Sequence, residues 1–301
     1  MKKEQCRRVL VTGATGFVGK AVIEALRRTE NVEIHIVTRR QPETLAMSDV
    51  RIHQADILEK REMLAILEQV CPQYLVHLAW NVTPGEYLNN SENVRWLATT
   101  LELAKQFYEQ GGERAFFCGT CFEYEFDNYL ASAQNTPLHP ISLYAECKAD
   151  AYRVIKKYCE ANNYSYCWGR IFFLYGEGED ERRVVPYIIR NLLKNEPVIC
   201  KNGDAVRDYI YVKDAGNMIV QKLFSKQSGA CNIASGRPVT MAEVFLAFGK
   251  ACGKEELIYI ENNPVIPQRI VADMNNTSFE KISLEQGARA TVEWWIGKED
   301  T

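Results

Sequence analysis

Val9-Leu10-Val11-Thr12-Gly13-Ala14-Thr15-Gly16-Phe17-Val18-Gly19 is the stretch that decides the fold. A β-branched run passes straight into glycines spaced GxxGxxG. An amphipathic stretch follows over Phe17–Arg28, with Val18, Val22, Ile23 and Leu26 on one side. Such a loop turns the backbone tightly and lets it approach a pyrophosphate. The helix behind it offers its N-terminal amides and dipole to the anion. A glycine motif alone says little; one between a strand and an amphipathic helix predicts dinucleotide binding.

The same alternation continues outward. Short β-branched runs at Glu33–Val37, Val50–Gln54, Tyr74–Leu78, Glu113–Cys118 and Tyr164–Phe173 read as strands. Longer periodic stretches at Lys60–Val70, Ser91–Gln110 and Ser142–Ala161 read as helices. This is the pattern of an α/β protein with a doubly wound parallel sheet. After Tyr175 the rhythm loosens. Val185–Leu193, the stretch after Val212 to Phe224 and Thr240–Cys252 read as helices; Asp208–Val212 and Cys231–Ile233 read as strands, and short mixed elements finish the chain. The expected division is a dinucleotide-binding domain of residues 1–174 plus about 208–234. A smaller interleaved α/β substrate domain takes 175–207 and 235–301.

The chain has 301 residues, a net charge of −3 and 47% apolar residues. That length forms one large domain or two coupled ones. The acidic balance argues against nucleic acid as a partner, which favours a basic field. No apolar run approaches the ~20 residues that span a bilayer, so no membrane partner is expected. Val9–Val11 is too short for a signal-peptide core, which points to the cytoplasm. Most of the ten cysteines then read as small buried apolar residues. Cys118 and Cys121 form a CxxC without a second ligand pair, so no metal is expected.

Two further patterns carry chemistry. After the second strand stand Thr38-Arg39-Arg40, where NAD binders usually place a carboxylate for the ribose hydroxyl. Arg39 suits a 2′-phosphate, which favours NADP(H) over NAD(H). Tyr144 and Lys148 lie four apart, hence on one face of a helix. The ammonium is expected to lower the phenol toward working pH.

With these in place, the chain resembles the extended short-chain dehydrogenase/reductase family, the sugar-nucleotide epimerase/dehydratase/reductase group. The glycine loop and the YxxxK pair stand in the family's order. Ala55-Asp56-Ile57 resembles its adenine-contacting segment, and His77-Leu78-Ala79-Trp80 its HLAA stretch beside the cofactor. Asn93-Val94 matches the start of its long helix. Thr120, four before Tyr124, matches its catalytic Ser/Thr. Arg207-Asp208-Tyr209-Ile210-Tyr211-Val212-Lys213-Asp214 is similar to RDFIYVDD, Asn232–Gly236 to NIGSG, and Ser283–Gly287 with Glu293-Trp294-Trp295 to SLEEG…VEWY.

The resemblance implies a Rossmann domain, a nucleotide-sugar substrate and hydride transfer at a sugar carbon. It implies Thr120, Tyr144 and Lys148 as catalytic residues. Gly13, Thr15, Gly16, Phe17, Val18, Gly19, Asp56, Ile57, Leu78, Ala79 and Trp80 would join Arg39, Tyr144 and Lys148 around the cofactor. Arg207 would meet the substrate phosphates, with Arg183 and Arg269 as further candidates. Trp80 and Phe122 either line the sugar pocket or pack in the core. The helices at Ser91–Gln110 and Ser142–Ala161 form a dimer interface in many relatives and permit a homodimer here.

Departures from the family pattern narrow the reaction. Its 4,6-dehydratases carry Asp-Glu after the catalytic Thr, where this chain has Cys121-Phe122. Fucose-synthase-like members use a Cys two residues before Tyr124's position, where Phe122 stands, and a late His. This chain's histidines are His35, His53, His77 and His139. Phe173 occupies the place where 4-epimerases often have Asn. Gly119–Tyr124 is similar to the GTCFEYG segment of 4-keto-6-deoxyhexose reductases. The reading is an NADPH-dependent reductase of a nucleotide-activated 4-keto-deoxysugar. A NAD-dependent 4-epimerase is the enzymatic alternative. A non-catalytic dinucleotide binder is a second, against which the retained Tyr144 and Lys148 argue.

Overall fold

The computed structural model describes residues 6–39, 49–126, 130–262, 269–274 and 279–299. In chain order it runs β1 (Arg7–Thr12), α1 (Phe17–Arg27), β2 (Val32–Thr38), β3 (Val50–Gln54), α2 (Lys60–Val70) and β4 (Tyr74–His77). A 3₁₀ turn at Tyr87–Asn89 leads into α3 (Glu92–Glu109) and β5 (Arg114–Thr120). A second at Cys121–Glu123 precedes α4 (Leu143–Asn162) and β6 (Ser165–Ile171). Next come β7 (Phe173–Tyr175), α5 (Val184–Leu193), β8 (Val198–Cys200), β9 (Val206–Tyr211), α6 (Val212–Phe224) and β10 (Gly229–Ile233). The last elements are β11 (Pro238–Thr240), α7 (Met241–Cys252), β12 (Ile258–Ile260), β13 (Arg269–Ile270) and α8 (Leu284–Glu299).

Packing divides the chain into two units. The first comprises 1–123, 138–170 and 216–231; the second comprises 124–137, 171–215 and 232–301. The first unit is built on a seven-stranded sheet in the order β10-β6-β5-β4-β1-β2-β3. β1 pairs in parallel with β2 and β4, with Val9 opposite both Ile34 and Tyr74. Strands covered on both faces are nearly all apolar, as Val9-Leu10-Val11 and Ala115-Phe116-Phe117 are. One face of the core joins Leu10, Leu75, Phe117 and Trp168 to Leu67, Phe107 and Ile155 of the helices. The winding reverses between β1 and β4. Ligands of such sheets sit at the carboxyl ends of the strands at that reversal.

The second unit has its own core of Tyr175, Ile188, Leu192, Phe248, Val292 and Trp295. Its larger sheet runs β11-β9-β13, with β7 also on β9. A reciprocal cap between Thr240 and Glu243 starts α7.

The α/β class and the parallel sheet agree with the sequence reading; three boundaries differ. Tyr164–Phe173 is not one strand. The Phe172 amide donates to the Ile233 carbonyl at 3.0 Å, and Phe173–Tyr175 then pairs with Tyr209–Tyr211. Residues 208–215, expected in the dinucleotide-binding domain together with 124–137, 171–174 and 232–234, pack like these in the second unit, 208–215 because β9 pairs with β7, β11 and β13. The tail is not short mixed elements but ends in the 16-residue α8, which buries Ala288, Val292 and Trp295 along one side.

Candidate active site

The carboxyl end of β1 forms a cradle that only glycine fits. Gly13 has φ +74°, and a Cβ there would stand 2.7 Å from the Ala79 amide nitrogen. A Cβ at Gly19 would stand 2.1 Å from the Gly13 carbonyl oxygen. The Gly16 amide closes the turn on that same carbonyl at 3.1 Å. Gly16 then caps α1 with no side-chain hydrogen bond, and Thr15 is exposed beside it. The first amides of the helix thus keep no side-chain acceptor, which suits a dinucleotide pyrophosphate. Phe17 and Val18 are half-buried at the start of α1.

β4 ends against this loop. The Leu78 amide donates to the Thr12 carbonyl at 3.1 Å. His77 is buried between two threonine hydroxyls, Thr12 at 2.8 Å and Thr100 at 2.9 Å. Burial, helped by the Lys148 charge, lowers its pKa to about 3, so the ring is a neutral structural link.

Thr120, Tyr144 and Lys148 are brought together by β5 and α4. Ser142 starts α4 by accepting from the Ala145 amide. The Thr120 side chain lies close enough to the Tyr144 phenol to act on its ionisation. Lys148 Nζ donates to the Cys118 carbonyl at 2.7 Å and lies 3.8 Å over the Trp80 ring. Trp80 in turn donates its indole N–H to Asn93 Oδ1 at 2.7 Å. Tyr87 meets the Tyr144 ring edge-on, with centroids 4.9 Å apart. Trp80, Tyr144 and Cys147 form one small core, with Phe122 packed against it. Trp80 is therefore the platform under the ammonium, and Cys147 is packing.

The expected lowering of the Tyr144 phenol does not occur. Burial pushes it well above its ordinary value; Cys118, Tyr87 and Glu123 add to this, against the Thr120 side chain. Desolvation outweighs the neighbouring ammonium. Lys148 itself is lowered by burial, with Cys118 and Glu123 pulling the other way.

Behind Thr120 lies a residue that the motifs do not single out. Glu123 is fully buried, accepts from the Thr120 amide at 2.8 Å and pairs with Arg170 Nε at 2.6 Å. The Trp168 indole donates to both of its oxygens at 3.1 Å. An acid in an otherwise apolar strand-end segment is the one signal in the sequence; its partner lies 47 residues on.

At the far edge of the sheet, Arg39, Gln54, Ala55, Asp56, Glu62 and Ile66 line a depression of about 530 Å³. Asp56 is tied locally: one oxygen accepts from the Leu58 amide at 3.0 Å. Ile57 is buried in the core behind it. Arg39 is exposed at the rim; Arg40 lies outside the described residues.

The three candidate substrate arginines are all in the second unit. Arg207 of β9 lies over the Phe173 ring at 5.6 Å. Arg183 caps α5 and acts on Glu179, whose carboxyl burial raises to about 8. The charges of Arg183, Arg207 and Glu179 all reach Tyr209. Arg269 is opposite Val206 in register, and Arg207 is opposite Ile270. Alternation along a strand therefore puts Arg269 and Arg207 on opposite faces, so they are not brought together.

The sequence model of the family described as "NAD dependent epimerase/dehydratase family" matches residues 9–234. The chain is 24% identical to the dTDP-glucose 4,6-dehydratase of Salmonella typhimurium, over 96% of this chain and 92% of that one. It is likewise 24% identical to a dTDP-6-deoxy-L-talose 4-dehydrogenase (NAD(+)) of Aggregatibacter actinomycetemcomitans, over 79% and 89%. Its fold superposes on a UDP-glucose 4-epimerase of Thermotoga maritima with a TM-score of 0.85 at 21% identity, covering 97% and 99% of the two chains.

Proposed function

The chain belongs to the NAD-dependent epimerase/dehydratase family, enzymes of the extended short-chain dehydrogenase/reductase type, and from that premise we propose that it reduces the 4-keto group of a nucleotide-activated deoxysugar. Dinucleotide binding fits the cradle made by Gly13, Gly16 and Gly19. Thr120, Tyr144 and Lys148 are its catalytic residues in this reading.

When bound, the cofactor supplies a hydride donor at its nicotinamide. Tyr144 hands its phenolic proton to the oxygen that becomes the new hydroxyl. Thr120, beside that phenol, fixes the position of the same oxygen. Lys148, anchored on the Cys118 carbonyl and the Trp80 face, steadies the tyrosinate left behind. Arg207 and Arg183 take the substrate diphosphate.

Reduction is favoured over dehydration by the three residues after Thr120. Cys121 is buried, Phe122 packs on the Trp80 cluster, and Glu123 is turned into Arg170 and Trp168. None of the three offers an acid–base pair for elimination. A phenol whose burial keeps its proton suits a donor, which reduction needs first. A 4-epimerase would use the same Thr, Tyr and Lys but retain its cofactor through both half-reactions.

Arg39 at the rim of the depression supports NADPH as the reductant, since a guanidinium can pair with a 2′-phosphate. Titration of NADPH and NADH into the purified protein tests this. The expected result is a marked NADPH preference that Arg39→Ala removes. Tight NAD(H) binding indifferent to Arg39 would instead favour the epimerase.

A further inference from the structure

We propose that Glu123 is a positioning residue for the Thr120–Tyr144–Lys148 set, its buried carboxylate, with Arg170 as counter-ion, holding the Thr120 backbone and supplying the negative charge that faces Tyr144 and Lys148. The inference rests on the catalytic roles just assigned, and Glu123 itself is fully buried behind Thr120. Its basis is geometric. Glu123 and Arg170 are 0% and 1% exposed and 2.6 Å apart, at the end of the strand that delivers Thr120. One carboxylate gathers three donors: the Thr120 amide at 2.8 Å, the Trp168 indole at 3.1 Å and Arg170 Nε at 2.6 Å. The backbone between them has no slack. A Cβ at Gly119 would stand 2.2 Å from Trp168 Nε1 and 2.5 Å from Glu123 Oε1. The preceding carbonyl, Cys118, receives Lys148 Nζ at 2.7 Å. A single anchor therefore fixes both the threonine and the seat of the lysine.

The arrangement is also electrostatic. Tyr144 is faced by Cys118 and Thr120 from β5, by Tyr87 from the first 3₁₀ turn and by Glu123 from the second. On its own helix stands Lys148, which faces Cys118, Glu123 and His77. His77 is neutral, and Cys118 is held as a thiol by burial. Among the described residues the Lys148 side chain and the Glu123 carboxylate, with Arg170 behind it, are then the ionisable neighbours that remain. The Glu123 charge favours the protonated phenol and the charged ammonium together.

The test uses Glu123→Gln, which keeps the shape and removes the charge, leaving Arg170 positive. Tyrosinate absorbance is titrated with NADP⁺ bound, subtracting the Tyr144→Phe protein. The Tyr144 step should move down by about one pH unit, a tenfold change in the ionisation ratio. Reduction should then fall about tenfold above the step, and the reverse oxidation should gain below it, with KM within about twofold. Damage to the fold lowers both directions and cannot produce the gain. Should the single variant fail to fold, Glu123→Gln with Arg170→Gln removes both charges and should move the step down about half as far. A Tyr144 step unmoved in whichever variant folds would overturn the proposal. Absence of turnover in either direction, with the step displaced, would instead count against the assigned reaction alone.

Discussion

Burial holds the Tyr144 phenol well above its ordinary pKa, and in the proposed reduction the neighbouring Thr120 side chain would aim its proton. Tyr144→Phe removes the donor while leaving the ring in its contacts with Trp80 and Tyr87. Turnover should drop about 10²–10⁴-fold with dinucleotide affinity retained, as steady-state kinetics beside a binding titration would register. Near-wild-type reduction would remove Tyr144 from the mechanism. His77 supports a second prediction. Its folded pKa is about 3 against 6.5 ordinarily, so below 6.5 the unfolded chain takes up a proton that the folded chain does not. The stability due to the neutral ring is complete above 6.5 and is lost as pH falls toward 3. Between about pH 7 and about pH 5, the wild type should lose about 2 kcal/mol more than His77→Gln in chemical denaturation. Equal losses would mean that His77 is not held neutral.

The elements carry the site by their ends. Gly19→Ala would push a methyl group into the Gly13 carbonyl 2.1 Å away, so the loop must open. Dinucleotide binding should weaken by about tenfold or more, about 1.4 kcal/mol, in a direct titration. At the other end of the chain, Ser283 and Gln286 cap α8 reciprocally, at 2.9 and 3.2 Å. Ser283→Ala should cost about 0.5–2 kcal/mol in thermal or denaturant unfolding. That cap is written in Ser283-Leu284-Glu285-Gln286, yet periodicity does not reveal α8. Gly287 and Thr291 interrupt its apolar side, where Gly287 makes room for the Tyr175 hydroxyl. The β1–α1 turn is legible because glycine spacing and local periodicity are properties of neighbouring residues. The break at Phe172 is not, because a partner strand 36 residues downstream decides it. Glu123 escapes for the same reason: its meaning lies in Trp168 and Arg170. The direction of the Tyr144 shift also escapes, since a four-residue spacing displays the ammonium but not the desolvation.

On the scale of the whole molecule, the chain passes between its two units repeatedly, so neither is a continuous segment. A fragment of residues 1–174 lacks β10, and β6 would become an open edge of the seven-stranded sheet. It should be poorly soluble when expressed alone, since an exposed long apolar edge pairs with other chains. A monodisperse folded fragment in size-exclusion chromatography would contradict that. No described helix is long and apolar enough to cross a membrane. Net reduction with Tyr144 as proton donor is the proposal on which the other roles depend. Its most direct test follows nicotinamide absorbance while the purified protein acts on a nucleotide-linked 4-keto-6-deoxyhexose with NADPH. One NADPH should be consumed for each alcohol formed, at a rate about 10²–10⁴-fold lower in Tyr144→Phe. Interconversion of nucleotide sugars with no net consumption of reduced cofactor would contradict it.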